Sequence, residues 1–313
     1  IDAALPEVQL TAGRVAAETG DAKGAIAAFR KVLERLLGDA EALLGLADAC
    51  LLEGEAGPAE EAARRAVAAG PGYWASHNKL GVVLVSAGRP AEAVEAFRKA
   101  VELAPENARG LANLGSALLL EGRLPDAAAT LRKSVGLEET AEGLSALGTV
   151  EYSLGRYDDA AAAYERAIAL APAFSTLWVN LGDARRWSPA GRPRAAEAYA
   201  RAVEAAREEL RVNPADADAR LSLALAFSKT GRPAEAAPHL AAALEADPAN
   251  PDRLFQGAVV EAASGRREEA ARLLRLAVEK GAPAWQVDAE PELDTVRGSS
   301  KGTYARGERA KDR

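Results

Sequence analysis

Seven glycines recur along the chain at a nearly fixed interval. Gly20, Gly54, Gly88, Gly122, Gly155, Gly231 and Gly265 are spaced by 34, 34, 34, 33, 76 and 34 residues, and the wide gap holds a further copy marked by Gly191. Five residues after each stands an alanine (Ala25, Ala59, Ala93, Ala127, Ala160, Ala236, Ala270). Seven before each stands a glycine or alanine (Gly13, Ala47, Gly81, Gly115, Gly148, Ala224, Ala258), and in the odd copy these two places are held by Ala195 and Gly182. A chain of 313 residues with such a period is a stacked array of short units, not one or two globular domains.

The positions between these markers explain the period. Helix-spaced apolar pairs precede the small residue, as in Leu43/Leu46, Leu111/Leu114, Leu144/Leu147 and Trp178/Leu181. Four residues beyond each alanine comes a larger side chain (Phe29, Phe97, Leu131, Tyr164, Tyr199, Leu240, Leu274), with Ala63 the exception. Pro71, Pro105, Pro172, Pro214 and Pro248 then close most units. Each unit therefore reads as two amphipathic helices joined by a glycine turn and stopped by a proline, which cannot continue a helix. The small residues let the paired helices approach, and the larger ones fill the space beside them. No unit buries its apolar face alone, so neighbours must stack.

This frame resembles the tetratricopeptide repeat, most plainly in Trp178-x-x-Leu181-Gly182 … Ala195-x-x-x-Tyr199. The resemblance implies an all-α, right-handed α–α superhelix, an array over 1–283 of eight repeats. Their bounds are 6–39, 40–73, 74–107, 108–140, 141–174, 175–216, 217–250 and 251–283. The first and fourth repeats lack the closing proline (Leu37 and Glu139 stand there), and the fourth is one residue short. The sixth carries an extra turn residue and the insertion Glu204 to Arg211, expected to lengthen its second helix by two turns. Residues 284–297 are expected to cap the last repeat through Trp285, Val287, Leu293 and Val296. Residues 298–313 form a basic tail expected to be disordered. The chain begins at Ile1 without methionine, which reads as an excised segment. The long sixth unit followed by Val212-Asn213-Pro214, and the run Glu279-Lys280-Gly281 … Pro291-Glu292-Leu293, resemble repeat regions C-terminal to bacterial protein kinase, adenylate cyclase or winged-helix regulator domains. A sensor or docking region of such a protein is therefore the alternative reading.

Composition closes off other classes. With 39 basic and 46 acidic side chains the net charge is −7, which disfavours nucleic acid as a partner. No apolar run is long enough for a membrane span, and no signal-peptide core opens the chain. One cysteine excludes a disulfide framework and any cysteine-clustered zinc site. Cys50 sits in a helix slot held elsewhere by Leu84 or Leu118, where a buried, inert thiol is expected. Unpaired, it fits a reducing compartment, and a cytoplasmic setting is the default. His77 and His239 stand 162 residues apart; His77 reads as a core or groove-edge side chain and His239 as solvent-facing. Neighbouring carboxylates such as Asp158-Asp159 diverge by about 100° on a helix, so they do not converge on a proton or a metal. No motif for nucleotide binding, metal-dependent hydrolysis or nucleophilic catalysis is present. No catalytic residue, metal or cofactor is expected.

In the family the chain resembles, first helices line a concave groove, and an asparagine at the sixth position often touches the backbone of a bound peptide. Asn113 and Asn180 fit that slot, and Asn78 lies one position early. The same face would carry Lys79, Arg109, Tyr152, Arg186, Trp187 and Lys229 against Glu142, Asp183 and Asp218. These residues predict a protein or peptide partner, with a mildly basic groove favouring acidic segments. The lysine–asparagine clamp that some members use for C-terminal carboxylates is not reproduced. A periodic row of arginines after the turns (Arg89, Arg123, Arg156, Arg192, Arg232, Arg266) reads as a solvated outer edge.

Overall fold

Residues 5–297 are described by a computed structural model, and among them there is helix, turn and loop but no strand. The chain divides at 138/139 into two compact units. Unit 1 holds four helix hairpins: α1 Pro6–Glu18 with α2 Ala22–Arg35, α3 Ala40–Leu52 with α4 Ala56–Ala69, α5 Trp74–Ser86 with α6 Pro90–Leu103, and α7 Ala108–Leu120 with α8 Leu124–Leu137. Unit 2 holds four more: α9 Ala141–Ser153 with α10 Tyr157–Leu170, α11 Ser175–Trp187 with α12 Ala195–Val212, α13 Ala217–Lys229 with α14 Pro233–Ala246, and α15 Pro251–Ala263 with α16 Arg267–Glu279. It ends in α17 Ala284–Ala289, a 3-10 turn Pro291–Leu293 and α18 Asp294–Arg297. The fold is an all-α solenoid of helix hairpins. Residues 298–313, read above as a disordered tail, lie outside the described residues.

The local chemistry of the boundaries is regular. Five first helices begin after side-chain caps: Asp39, Asn107, Thr140, Asp216 and Asn250 each accept a backbone N–H of the first turn. They end on a left-handed glycine. At Gly88 (φ 71°), the glycine N–H donates to the Val85 carbonyl and the Arg89 N–H to the Leu84 carbonyl, both at 2.9 Å. That pair of bonds satisfies carbonyls the helix end would otherwise orphan, and only glycine adopts this φ without strain. Within a hairpin the interhelical gap is as narrow as the small residues imply. An added Cβ at Gly81 would lie 2.6 Å from the Phe97 ring, and at Gly115 2.5 Å from Leu131.

Within each unit successive first helices touch, α1–α3–α5–α7 and α9–α11–α13–α15, while second helices do not approach one another to that degree. The stack is therefore tighter along the first helices, which line its inner face.

Two expectations change in unit 2. Gly191 is not a left-handed turn residue: its φ is −80°, and glycine is needed because a Cβ would meet the Arg185 backbone at 2.9 Å. The insertion Glu204 to Arg211 lies wholly within α12, which ends at Val212, 17 residues past Ala195, where α10 ends at Leu170, 10 past Ala160; the seven added residues lengthen the helix by the two turns expected. Its start differs instead, following a 3-10 turn at Arg192–Arg194. The ring of His239 is half-buried, 5.8 Å from that of Phe227, rather than facing solvent. Cys50 is fully buried, and burial raises its thiol pKa.

The segment after the last repeat does more than cover one end. Val287, Leu293 and Val296 are buried in the same apolar cluster as α13–α16. Beyond that, α17 reaches back along the inner face to α9. Residues Leu221 to Lys229 of α13 are all buried, leaving no exposed stripe on a helix that would otherwise face an open groove.

Candidate functional site

The C-terminal segment and the first helices of unit 2 border a half-open cavity of about 370 Å³. Tyr152 from α9, Asn180 and Asp183 from α11, Asp218 and Ser222 from α13, and Phe255 and Gln256 from α15 contribute to its walls. Trp285, Gln286 and Glu290 close it from the C-terminal side.

A polar network holds the segment in place. Tyr152 Oη donates to the Glu290 carboxylate at 3.3 and 3.4 Å, and Arg186 Nε pairs with Glu292 at 2.9 Å. Arg297 donates to the carbonyls of Val287, Asp288 and Glu290, tying the segment's end to its start. Beneath it, Lys229 is ion-paired with Asp183, which also accepts from Tyr199 Oη at 2.6 Å. Burial works against the Lys229 ammonium, but Asp183, Glu290 and Glu292 outweigh it and its pKa is raised. Burial pushes the Glu290 carboxyl up to about 7, with Lys229 opposing and Asp183 and Glu292 adding to the rise. Burial likewise holds the Tyr152 and Tyr199 phenols protonated, reinforced by Glu290 at the first and Asp183 at the second.

The residues picked from the sequence separate into three groups. Tyr152 and Asn180 share the cavity wall. In unit 1, Asn113 Nδ2 donates to Asn78 Oδ1 at 2.8 Å, so the asparagine that stood one position early is buried and orients the one in register. Arg109 is exposed beside Trp74 and Glu106, and Trp187 is half-buried with the Arg186 guanidinium 6.0 Å from its ring. The third group is held within the scaffold. Lys79 is paired with Asp48, Lys229 with Asp183 and Arg186 with Glu292. The mildly basic groove that predicted acidic segments is therefore largely neutralised by acidic neighbours, whose pairings no one-dimensional count reveals. The side chain of Lys229 is only 1% exposed and cannot reach a ligand.

The arginines after the turns are also engaged locally. Arg89 pairs with Glu92 and Glu60, Arg123 with Asp126, Arg156 with buried Glu151, Arg232 with Glu235 and Arg266 with Glu261. They fasten each turn to its own hairpin, and Arg89 also reaches Glu60 on α4 of the preceding one. Sequence reasoning missed Gln256, Gln286 and Glu290 as parts of the site, because their relevance depends on the C-terminal segment folding back. Among the described residues no group of three or more His, Cys, Asp or Glu side chains is placed to hold a metal, and no helix is long and apolar enough to cross a membrane.

With hairpin, turn and inner face defined, sequence comparison decides the family. One tetratricopeptide repeat profile matches residues 10–73, 78–142 and 190–251, and a second matches 141–174. The chain belongs to the tetratricopeptide repeat family. No curated protein sequence matches it significantly. A thermophilic tetratricopeptide repeat protein of Thermus thermophilus is similar at 28% identity and a TM-score of 0.50, over 57% of this chain and 98% of that one. PilF of Pseudomonas aeruginosa shares the fold at 21% identity and a TM-score of 0.52, over 67% and 92%. The Cut9–Hcn1 structure, an APC/C hetero-tetramer, aligns at 19% identity and a TM-score of 0.63, with 87% of this chain covering 49% of that one. Such repeats are protein-interaction scaffolds, and tetratricopeptide membership assigns this chain to that general class.

Proposed function

We propose that this tetratricopeptide array is a non-catalytic scaffold that holds an extended segment of a partner protein against its inner faces. The observation that carries the reading is the set of three carboxamides, Asn180, Gln256 and Gln286, on one cavity of about 370 Å³. A carboxamide offers a donor and an acceptor together, which matches a peptide unit whatever its side chain. Asn113, oriented by Asn78, serves the same purpose in unit 1, with Arg109 beside it. Trp187 adds apolar contact area in unit 2. Tyr152, Arg186, Lys79 and Lys229 act one step back, by fixing the walls. Acidic partner segments are not favoured in unit 2, since its basic side chains already have acidic partners.

Selection of a random-peptide display library on the full chain tests the proposal. Recovered peptides should bind the full chain and lose tenfold or more in affinity to Asn180→Ala combined with Gln256→Ala, with the helical circular dichroism spectrum unchanged. Failure to recover any peptide, or affinity indifferent to these substitutions and to Asn113→Ala, would overturn it.

A further inference from the structure

The charge inventory around the unit 2 cavity does not close. Three acidic side chains line it, Asp183, Asp218 and Glu290, and no lysine or arginine does. Asp183 is matched by Lys229, and Asp218 by Arg253 at 3.4 Å. Just outside, Arg186 and Glu292 form a third neutral pair. Glu290 is left over. It is 92% buried, being 8% exposed, and no cation lies within ion-pair distance of it among the described residues. Its contacts are the Tyr152 phenol, beyond 3.2 Å, and the Glu292 backbone N–H at 3.1 Å.

A buried carboxylate without a counter-ion is unfavourable, and such groups are normally paired, bound to a metal or protonated. Among the described residues no three His, Cys, Asp or Glu side chains converge closely enough to hold a metal. What stands beside the carboxylate is open volume walled by aromatic rings, Tyr152, Tyr164, Phe255 and Trp285. Ring faces attract a cation through their quadrupole, and more strongly where water is excluded. The cavity is at the small end of ligand pockets, suited to one long side chain rather than to a cofactor. Asn180, Gln256 and Gln286 on the same wall are placed for the peptide units on either side.

We propose that this cavity receives one positively charged side chain, lysine or arginine, of the partner segment, with Glu290 as its counter-ion and the aromatic walls around its stem. The assignment rests on the peptide-scaffold reading above for the identity of the bearer, while the cation site itself is testable alone. One uncompensated charge calls for one cation, so the pocket discriminates by charge and length. Glu290 also makes recognition pH-sensitive. Lys229, Asp183, Glu292 and the Tyr152 and Tyr157 phenols are the titratable groups coupled to it. The carboxyl releases its proton through about pH 7, and an incoming cation favours that release.

The test is titration of the full chain with N-acetyl-argininamide, followed through the Trp285 indole N–H resonance, with N-acetyl-norleucinamide as neutral control. Saturable shifts with the cationic probe alone, at least fivefold weaker in Glu290→Gln and weaker at pH 6 than at pH 8, are expected. Asp218→Asn, at a side chain largely exposed to solvent, should weaken binding less. Equal shifts with both probes, none with either, or an affinity unchanged in Glu290→Gln would overturn the cation site. Peptides recovered from the display library should carry lysine or arginine at a fixed place. Peptides that bind without one would remove this proposal and leave the scaffold reading standing. A probe that binds where no peptide is recovered would do the reverse, leaving a cation site without its segment.

Discussion

At Gly148 an added Cβ would lie 2.7 Å from the Tyr164 ring, and that ring cannot swing aside freely because its hydroxyl is bonded to Thr149 Oγ1 at 3.0 Å. Alanine is the better helix former by about 1 kcal/mol, but overpacking a closed site costs about 1–3 kcal/mol. Gly148→Ala should therefore lower stability, by up to about 2 kcal/mol. At Gly136, near the end of α8, nothing lies within 4 Å of the added Cβ, so Gly136→Ala should raise stability by about 0.5–1 kcal/mol. Urea unfolding of the two variants separates them, and shifts of the same sign would contradict the packing argument. The sequence made this distinction legible, because a glycine that recurs with a large residue fixed beyond it announces close approach. It did not announce a second device at the fourth helical position. There His77 Nε2, Trp178 Nε1 and Arg220 reach the carbonyls of Pro71, Pro172 and Pro214 at 2.9, 3.0 and 2.7 Å. His77 must then carry its proton on Nε2, since a carbonyl only accepts. Three chemically unlike side chains share one donor role, and residue identity alone hides it.

Among the elements, the C-terminal segment is the one whose position the sequence left open. Helices and turns depend on neighbours three to five residues away, so their period writes itself into the chain. The bond from Tyr152 to Glu290 spans 138 residues and leaves no such trace. Apolar spacing in 284–297 suggested a covering role, but carried no sign that the segment reaches back along the inner face to α9. Its stability carries a pH signature. The Glu290 carboxyl titrates near 4.5 in an unfolded chain and near 7 in the folded one. Below about pH 4.5 both states are protonated and the group is neutral to stability. Between 4.5 and 7 the unfolded chain loses the proton while the folded one keeps it, so stability declines with rising pH, and the whole penalty is present above 7. Glu290→Gln does not titrate. Relative to the parent, it should gain about 2–3 kcal/mol between pH 5 and pH 8. Urea midpoints at pH 5, 6.5 and 8 measure this, and a pH-independent difference would show that the carboxyl is not desolvated in the folded state.

For the whole molecule, the decisive position is 138/139, where the chain divides. It coincides with the repeat that is one residue short and has Glu139 in place of the closing proline. Three other second helices end alike: Gly70, Ala104 and Ala171 have φ near −141° and ψ between 70° and 75°. Glu138 instead is extended at φ −151°, ψ 123°. At two of the regular junctions the next helix's capping residue bonds back, Tyr73 N–H to the Gly70 carbonyl and Asn107 N–H to the Ala104 carbonyl. Neither Glu139 nor Thr140 donates such a bond, and the following helix starts only with Thr140 accepting the Gly143 N–H. A solenoid's stability is a sum over units and nearest-neighbour interfaces, so a junction lacking its closing turn is where cooperativity is most readily interrupted. Amides that donate no native hydrogen bond open locally at little free-energy cost. Hydrogen exchange followed by NMR should therefore find the amides of Glu139 and Thr140 exchanging at least tenfold faster than that of Asn107. Equal protection at the two junctions would mean that the proline-closed turn contributes nothing to the coupling between repeats.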